Sequence, residues 1–237
     1  MIPVFLRDMR WRLVVLVGIA LVFYLQEPGF HQHEGFNPDA AALGPLGISA
    51  TLSNFAALSM IILLEGFISR DLREGYTRIN FSRSIAPTRY FGLQWIIAYL
   101  LTILAAAAFL VAGQLLAWGE FLGGWQGMIL PVVSALMYGG LMAVLSGAGV
   151  RGEATIAFLL LLIPAVFPEI LSALLGMLPA PLQNLVNTVL PPQTALSDLW
   201  DGLITGVTRW DAVAYGAGYG VILLAVAALI LRLREWP

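Results

Sequence analysis

Six apolar stretches, each near the length a helix needs to cross a bilayer, dominate the chain and leave few folds open to it. They run over Trp11–Leu25, Leu46–Ile68, Leu93–Trp118, Gly127–Gly147, Thr155–Leu178 and Ala212–Leu231. A spanning helix takes about 20 mainly apolar residues, because the hydrocarbon core is about 30 Å thick. Of the 237 residues, 59% are hydrophobic and only 11% charged, and the mean hydropathy is +0.87. Soluble domains carry about 25% charged residues, so a water-soluble globule would lack the charge to cover its surface. The expectation is an all-α membrane protein of six transmembrane helices. It forms a single domain over residues 1–237, with no room for an appended soluble domain.

The first stretch is short, but Arg10 and Arg12 can snorkel and lengthen it. Its lead-in sets Ile2, Val4, Phe5, Leu6 and Met9 among Arg7, Asp8 and Arg10, a pattern that suits a brief N-terminal interfacial helix. A cleaved signal peptide is the alternative, but no small-residue cleavage site follows Leu25 closely, and a retained span is expected. Arginine placement sets the orientation. With the N-terminus inside, the cytoplasmic segments hold every arginine except Arg209. Both termini are then cytoplasmic, and the expected location is the cell (inner) membrane.

Pro164 and Pro168 interrupt the fifth stretch, where a missing amide and a ring clash kink a helix. Pro179 and Pro181 end it, and two short amphipathic pieces follow at Leu182–Val189 and Ala195–Gly206, divided by Pro191-Pro192. They are too short to span and too apolar for a free loop. Short re-entrant outer helices over about residues 179–210, between spans five and six, are the expectation.

The inventory excludes much chemistry. There is no cysteine, so disulfides, thiolate metal sites and cysteine nucleophiles are absent. All 12 cationic residues are arginine, which removes the P-loop lysine. Gly147-Ala148-Gly149-Val150-Arg151-Gly152 matches G-x-G-x-x-G, but without a strand before it the stretch reads as a tight turn between helices. His31 and His33, beside Glu34, are the only histidines. They can be weak metal ligands or simply a solvated outer loop, and the second reading is preferred. No catalytic residue, metal site or nucleic-acid partner is expected. Two carboxylates fall within the stretches, Glu65 near the cytoplasmic interface and Glu169 after Pro168. Intramembrane carboxylates are candidates for a transport pathway, with interfacial solvation or pairing as the alternative. Ala212, Gly216 and Gly220 recur every four residues, a spacing that lets helix backbones approach. Packing within the subunit is preferred to a dimer seam.

Residues 69–89 are the most informative segment. Glu74 and Arg78 stand at i and i+4 in the order that favours a helix, and Pro87 is well placed to start the next one. Tyr76, Ile79 and Phe81 put apolar surface into an arginine-rich cytoplasmic element, which points to a docking surface. Glu74-Gly75-Tyr76-Thr77 followed by Pro87-Thr88-Arg89 resembles the acidic-Gly-Thr element and Pro-x-Arg run of permease subunits of type-2 ABC transporters. Pro191–Leu196 is similar to that family's outer element. Thr77 falls one residue later than the usual Gly-Thr pair, and Gln94 stands where lysine is common.

The resemblance implies six spans, an ABC ATPase partner that holds ATP and Mg, a second permease subunit, and movement of substrate by alternating access, commonly outward. No cofactor is expected in this chain. Residues Arg73, Glu74, Tyr76, Arg78, Ile79, Phe81 and Arg83 would form the ATPase-coupling surface. An ion-coupled secondary transporter using Glu65 or Glu169, and a membrane scaffold without transport, are the alternatives.

The orientation is testable on the cysteine-free background. Cysteines placed at Asp39 and Asp198 should react with an impermeant thiol reagent added outside sealed cells, and one at Ser82 should not. Labelling of the Ser82 position from outside would reverse the topology.

Overall fold

The computed structural model describes residues 2–26, 46–74, 86–166, 173, 175–183 and 190–234. Among them every regular element is helical. The helices are α1 (Ile2–Gln26), α2 (Ser49–Leu63), α3 (Ser69–Glu74), α4 (Pro87–Trp118), α5 (Ile129–Gly147), α6 (Glu153–Val166), α7 (Gln193–Ile204) and α8 (Trp210–Leu233), and a 3₁₀ turn at Trp125–Met128 leads into α5. Four segments are long and apolar enough to cross a membrane: Met9–Gln26, Pro87–Trp118, Trp125–Gly147 and Trp210–Leu233. The chain is therefore a helical membrane protein. Ser49–Leu63 and Glu153–Pro164 are apolar but shorter.

Three features differ from the expectation or fall beyond it. The lead-in is not a separate interfacial helix, because α1 runs unbroken from Ile2 to Gln26. Pro3 stands in its first turn, where a missing amide costs nothing, and no other proline interrupts it. The second stretch, expected over Leu46–Ile68, is helical only over the 15 residues of α2. It gives way to a turn in which Gly66 takes a φ of +69°. At 1.5 Å per residue α2 is about 22 Å long, short of the hydrocarbon thickness. In the fifth stretch Pro164 lies inside α6, while Pro168 and Glu169 lie outside the described residues, as do His31, His33 and most of Leu182–Val189.

α4 shows how its ends are set. Pro87 opens it at the first turn, and Gly119 closes it in the left-handed region with its amide bonded to the Leu115 carbonyl. Buried Gln114 then ties down the following loop, donating to the Gly123 carbonyl and accepting from the Leu122 amide, both at 2.8 Å.

Burial sorts the helices into inner and outer. The apolar window of α5 is 67% buried, against 17% for α8 and 11% for α1. α5 is the centre, packed chiefly on α8 and α2, with α4, α6 and α7 also against it. α1 leans on α2 and α4. There Phe55 meets Phe109 edge-on at 5.4 Å and Phe23 at 6.3 Å. The outward faces of α1 and α8 keep Val14, Val15, Leu21, Val221, Ile222 and Leu229 exposed, which suits contact with acyl chains.

The α5–α8 contact is as close as polypeptide allows. A Cβ on Gly140 would stand 2.6 Å from the Gly220 carbonyl oxygen, and one on Gly220 would stand 2.6 Å from that of Leu136. A Cβ on Gly216 would stand 2.6 Å from Val133 Cγ1. Gly216 and Gly220 thus face α5 of the same chain. Forcing a methyl group into such a contact costs about 1–3 kcal/mol. Gly220→Ala should therefore lower the thermal unfolding midpoint in detergent, while Gly218→Ala, with nothing within 4 Å of its Cβ, should not. Equal midpoints for the two variants would contradict this packing.

Candidate functional site at the arginine-bearing end

α2 ends inside the protein, and its last carbonyls have no helical partner. Arg12, from the middle of α1, supplies one. Its guanidinium donates to the carbonyls of Ile62 at 3.2 Å, Leu63 at 2.8 Å and Glu65 at 2.7 Å. A cation at a helix C-terminus is also favoured by the helix dipole. Arg12 therefore pins α1 to the end of α2.

The turn that follows is held from the other side by α5 and α6. Glu153, the first residue of α6, is 3% exposed. Its Oε1 accepts from the Gly66 amide at 2.7 Å, the Ser69 hydroxyl at 2.9 Å and the Ser146 hydroxyl at 3.0 Å. Ser146 Oγ in turn accepts from the amides of Ile68 at 3.2 Å and Ser69 at 3.0 Å. Six polar groups of two distant segments are thus joined by five hydrogen bonds, and such networks are costly to leave half-made. Arg234, just beyond α8, donates to the Gly147 carbonyl at 3.1 Å and brings the last helix to the same end. The Gly147–Gly152 stretch is the turn that joins α5 to α6, with Gly149 and Gly152 at φ of +73° and +71°.

A polar cavity of about 280 Å³ opens beside this knot, lined by Arg12, Arg70 and Arg73 together with Glu65 and Glu153. Glu153 Oε2 is buried and has no protein partner. Of the residues expected to act, Arg73 lies in α3, exposed and on the cavity wall, and Glu74 ends α3. Tyr76, Arg78, Ile79, Phe81 and Arg83 lie outside the described residues. Glu65 is not in a helix: it sits exposed on the turn after α2, at the cavity rim.

At the opposite end, α7 is anchored by a deep polar contact. Gln193 Nε2 donates to the Tyr138 hydroxyl at 2.8 Å, and that hydroxyl donates to the Leu160 carbonyl at 3.4 Å. Tyr138 is fully buried and lies about 14 Å along α5 from its start, at 1.5 Å per residue. Pro191 and Pro192 are buried as well. Past α7, Arg209 pairs with Asp211 at 2.8 Å in the open, and that hydrogen bond raises the arginine's pKa above its ordinary value.

Comparison with family models, with curated proteins and with solved structures gives no match. The reading of the site therefore rests on its geometry. Among the described residues no group of histidine and acidic side chains could hold a metal ion.

Sequence reasoning missed Arg12, Ser146 and Glu153 as a unit. Glu153 looks like an ordinary acid in a helix's first turn. Its one distinguishing signal is that it follows Gly152 at the mouth of an apolar helix, where a buried acid needs donors. Ser146→Ala should leave the Ile68 and Ser69 amides without an acceptor, at about 1–3 kcal/mol each. Hydrogen exchange at those two amides should accelerate, and the unfolding midpoint should fall. Unchanged protection would show that the knot does not hold the turn.

Proposed function

We propose that this chain is the membrane permease subunit of an ATP-driven ABC transporter, acting with a separate ATPase and a second permease subunit. The observation that carries the reading is the bracing of α3. This short helix opens the arginine-rich 69–89 segment, and its first residue is bonded to both Ser146 and Glu153. Through them it is tied to α5 and α6, and through the preceding turn and Arg12 to α2 and α1. A force applied at α3 would reach the core of the bundle rather than dissipate in a loop.

In this reading the 69–89 segment is cytoplasmic and docks on the ATPase. Tyr76, Ile79 and Phe81 are the apolar anchors, and Arg73, Glu74, Arg78 and Arg83 supply the polar rim. ATPase closure biases the bundle between two pre-existing conformations, since a partner shifts an equilibrium only by its differential affinity for the two states. The short helices α2 and α6 complete six spans with their flanking turns. α7, whose Gln193 reaches the depth of Tyr138, is the re-entrant element closing the outer side. Export is the favoured direction. Glu65, exposed on its turn, gives an ion-coupled pathway little support.

The docking anchors can be tested without touching charge. A few buried aromatic or aliphatic anchors dominate most interfaces, at about 2 kcal/mol or more each. Replacing Tyr76 and Phe81 together with alanine retains all five arginines of the segment, so topology and attraction to anionic lipid persist. The wild-type chain purified from its native membrane should bring a P-loop ATPase with it, and the double variant should lose that partner while still inserting normally. An ATPase retained by the double variant would move the docking site elsewhere, first to Gly147–Glu153. A wild-type chain that brings none would remove the transporter reading itself.

A further inference from the structure

A groove of about 340 Å³ runs between α1 and α4, with Phe55 of α2 and Phe109 of α4 at its floor. Its α1 wall carries Leu13, Val17 and Tyr24, and its α4 wall carries Ala105, Ala108 and Ala112. The alanine methyls leave room there that larger side chains would fill. Both walls belong to segments long and apolar enough to cross a membrane. Val17 and Leu116, which line the groove, are 63% and 71% exposed. The groove therefore opens on the bilayer rather than on water. Among the described residues no charged side chain lines it, so the part of a ligand that fills it is apolar.

Shape and charge select the occupant. From Leu13 to Tyr24 the groove is about 16 Å long at 1.5 Å per residue, close to half of the about 30 Å hydrocarbon core. A helix is about 10–12 Å across with its side chains, and that length of it takes more than about 1,000 Å³. The groove admits an extended alkyl chain and not a helix. Arg10 stands one turn before Leu13 on the same face of α1, since Arg10, Leu13, Val17, Ala20 and Tyr24 follow at alternating steps of three and four. It is exposed, and its guanidinium lies over the Trp11 ring, 5.8 Å from the centroid. A guanidinium over a ring keeps N–H groups at its edge for phosphate oxygens, and tryptophan favours the level of the headgroups. We propose that the α1–α4 groove binds one acyl chain of an anionic phospholipid from the leaflet on the arginine-bearing side, with its phosphate at Arg10. The assignment needs only that the chain crosses a membrane, and not the ATPase partner.

The test uses the whole chain in nanodiscs of equal parts dioleoyl-phosphatidylglycerol and dioleoyl-phosphatidylcholine, followed by extraction into mild detergent and native mass spectrometry. Boundary lipid is lost on extraction, and the groove lipid should remain as one molecule per chain. The glycerol lipid should exceed the choline lipid by about fivefold, the scale of one arginine near a membrane surface. Ala108 and Ala112 are exposed, so Ala108→Phe with Ala112→Phe fills the groove without entering the core. That double variant should lose the retained lipid. Arg10→Gln should still retain one but show no preference between the two. If the double variant does not fold, the wild-type count and Arg10→Gln still decide. A wild type that retains none, or a double variant that retains as many, would overturn the groove site. An unchanged preference in Arg10→Gln would overturn the headgroup assignment. Because the chain lacks cysteine, Ala108→Cys reports the competing occupant. It should form no intermolecular disulfide under oxidation in the membrane; a linked dimer would assign the groove to a second copy of the chain.

Discussion

One carboxylate oxygen holds the arginine-bearing end together. Glu153 Oε1 accepts from a backbone amide and two serine hydroxyls, and one of those serines accepts two further amides. The constraint behind this is general. Wherever a helix stops in apolar surroundings, its free amides and carbonyls must find partners within the protein, because no water is there to serve. α2 ends beside buried Leu63 and Leu64, and Arg12 serves its carbonyls while Ser146 and Glu153 serve the amides that follow. Remove that arrangement and α2 could not end where it does, and α3 would have no fixed starting point.

The parts of the fold legible in the sequence were those that depend on local composition. Long apolar runs became α4, α5 and α8, and Pro87 opened α4 as its ring geometry favours. The four-residue spacing of Gly216 and Gly220 marked a close contact, although it could not name the partner helix. What escaped was tertiary. Glu65 read as an intramembrane acid because the apolar run continues past it, yet α2 ends at Leu63 and leaves Glu65 exposed. Glu153 drew no reading from the sequence, yet it is buried and its Oε1 accepts from the amide of Gly66, 87 positions away. Hydropathy ranks residues by type, and these two were sorted by where a distant turn falls. Of the proposed coupling surface, only the α3 portion lies among the described residues, and its first residue is held by Ser146 and Glu153.

The two ends of the bundle are built on different plans. At the arginine-bearing end, charge and backbone groups form a network that links α1, α2, α3, α5 and α6. At the other, a single uncharged chain of donors, Gln193 to Tyr138 to the Leu160 carbonyl, sets the depth of α7. An exposed ion pair at Arg209 and Asp211 adds little there, since water screens surface pairs. In the proposed transporter the networked, arginine-bearing end would receive the mechanical input.

The contact of α5 with α8 limits how any such opening can occur. Main chain lies against main chain at Gly140 and Gly220, with no side chain between them to change rotamer or yield. Sliding would drive the Leu136 or Gly220 carbonyl into a neighbouring Cβ within a fraction of a helical turn. The pair behaves as one plank, and shape change must be taken up at softer seams. The seam beside it is of that kind: α1, α2 and α4 meet through Phe23, Phe55 and Phe109, rings that can tilt, around an apolar groove of about 340 Å³. A substituent on either glycine would therefore wedge α5 from α8, whereas the α1–α4 flank has empty space beside its rings.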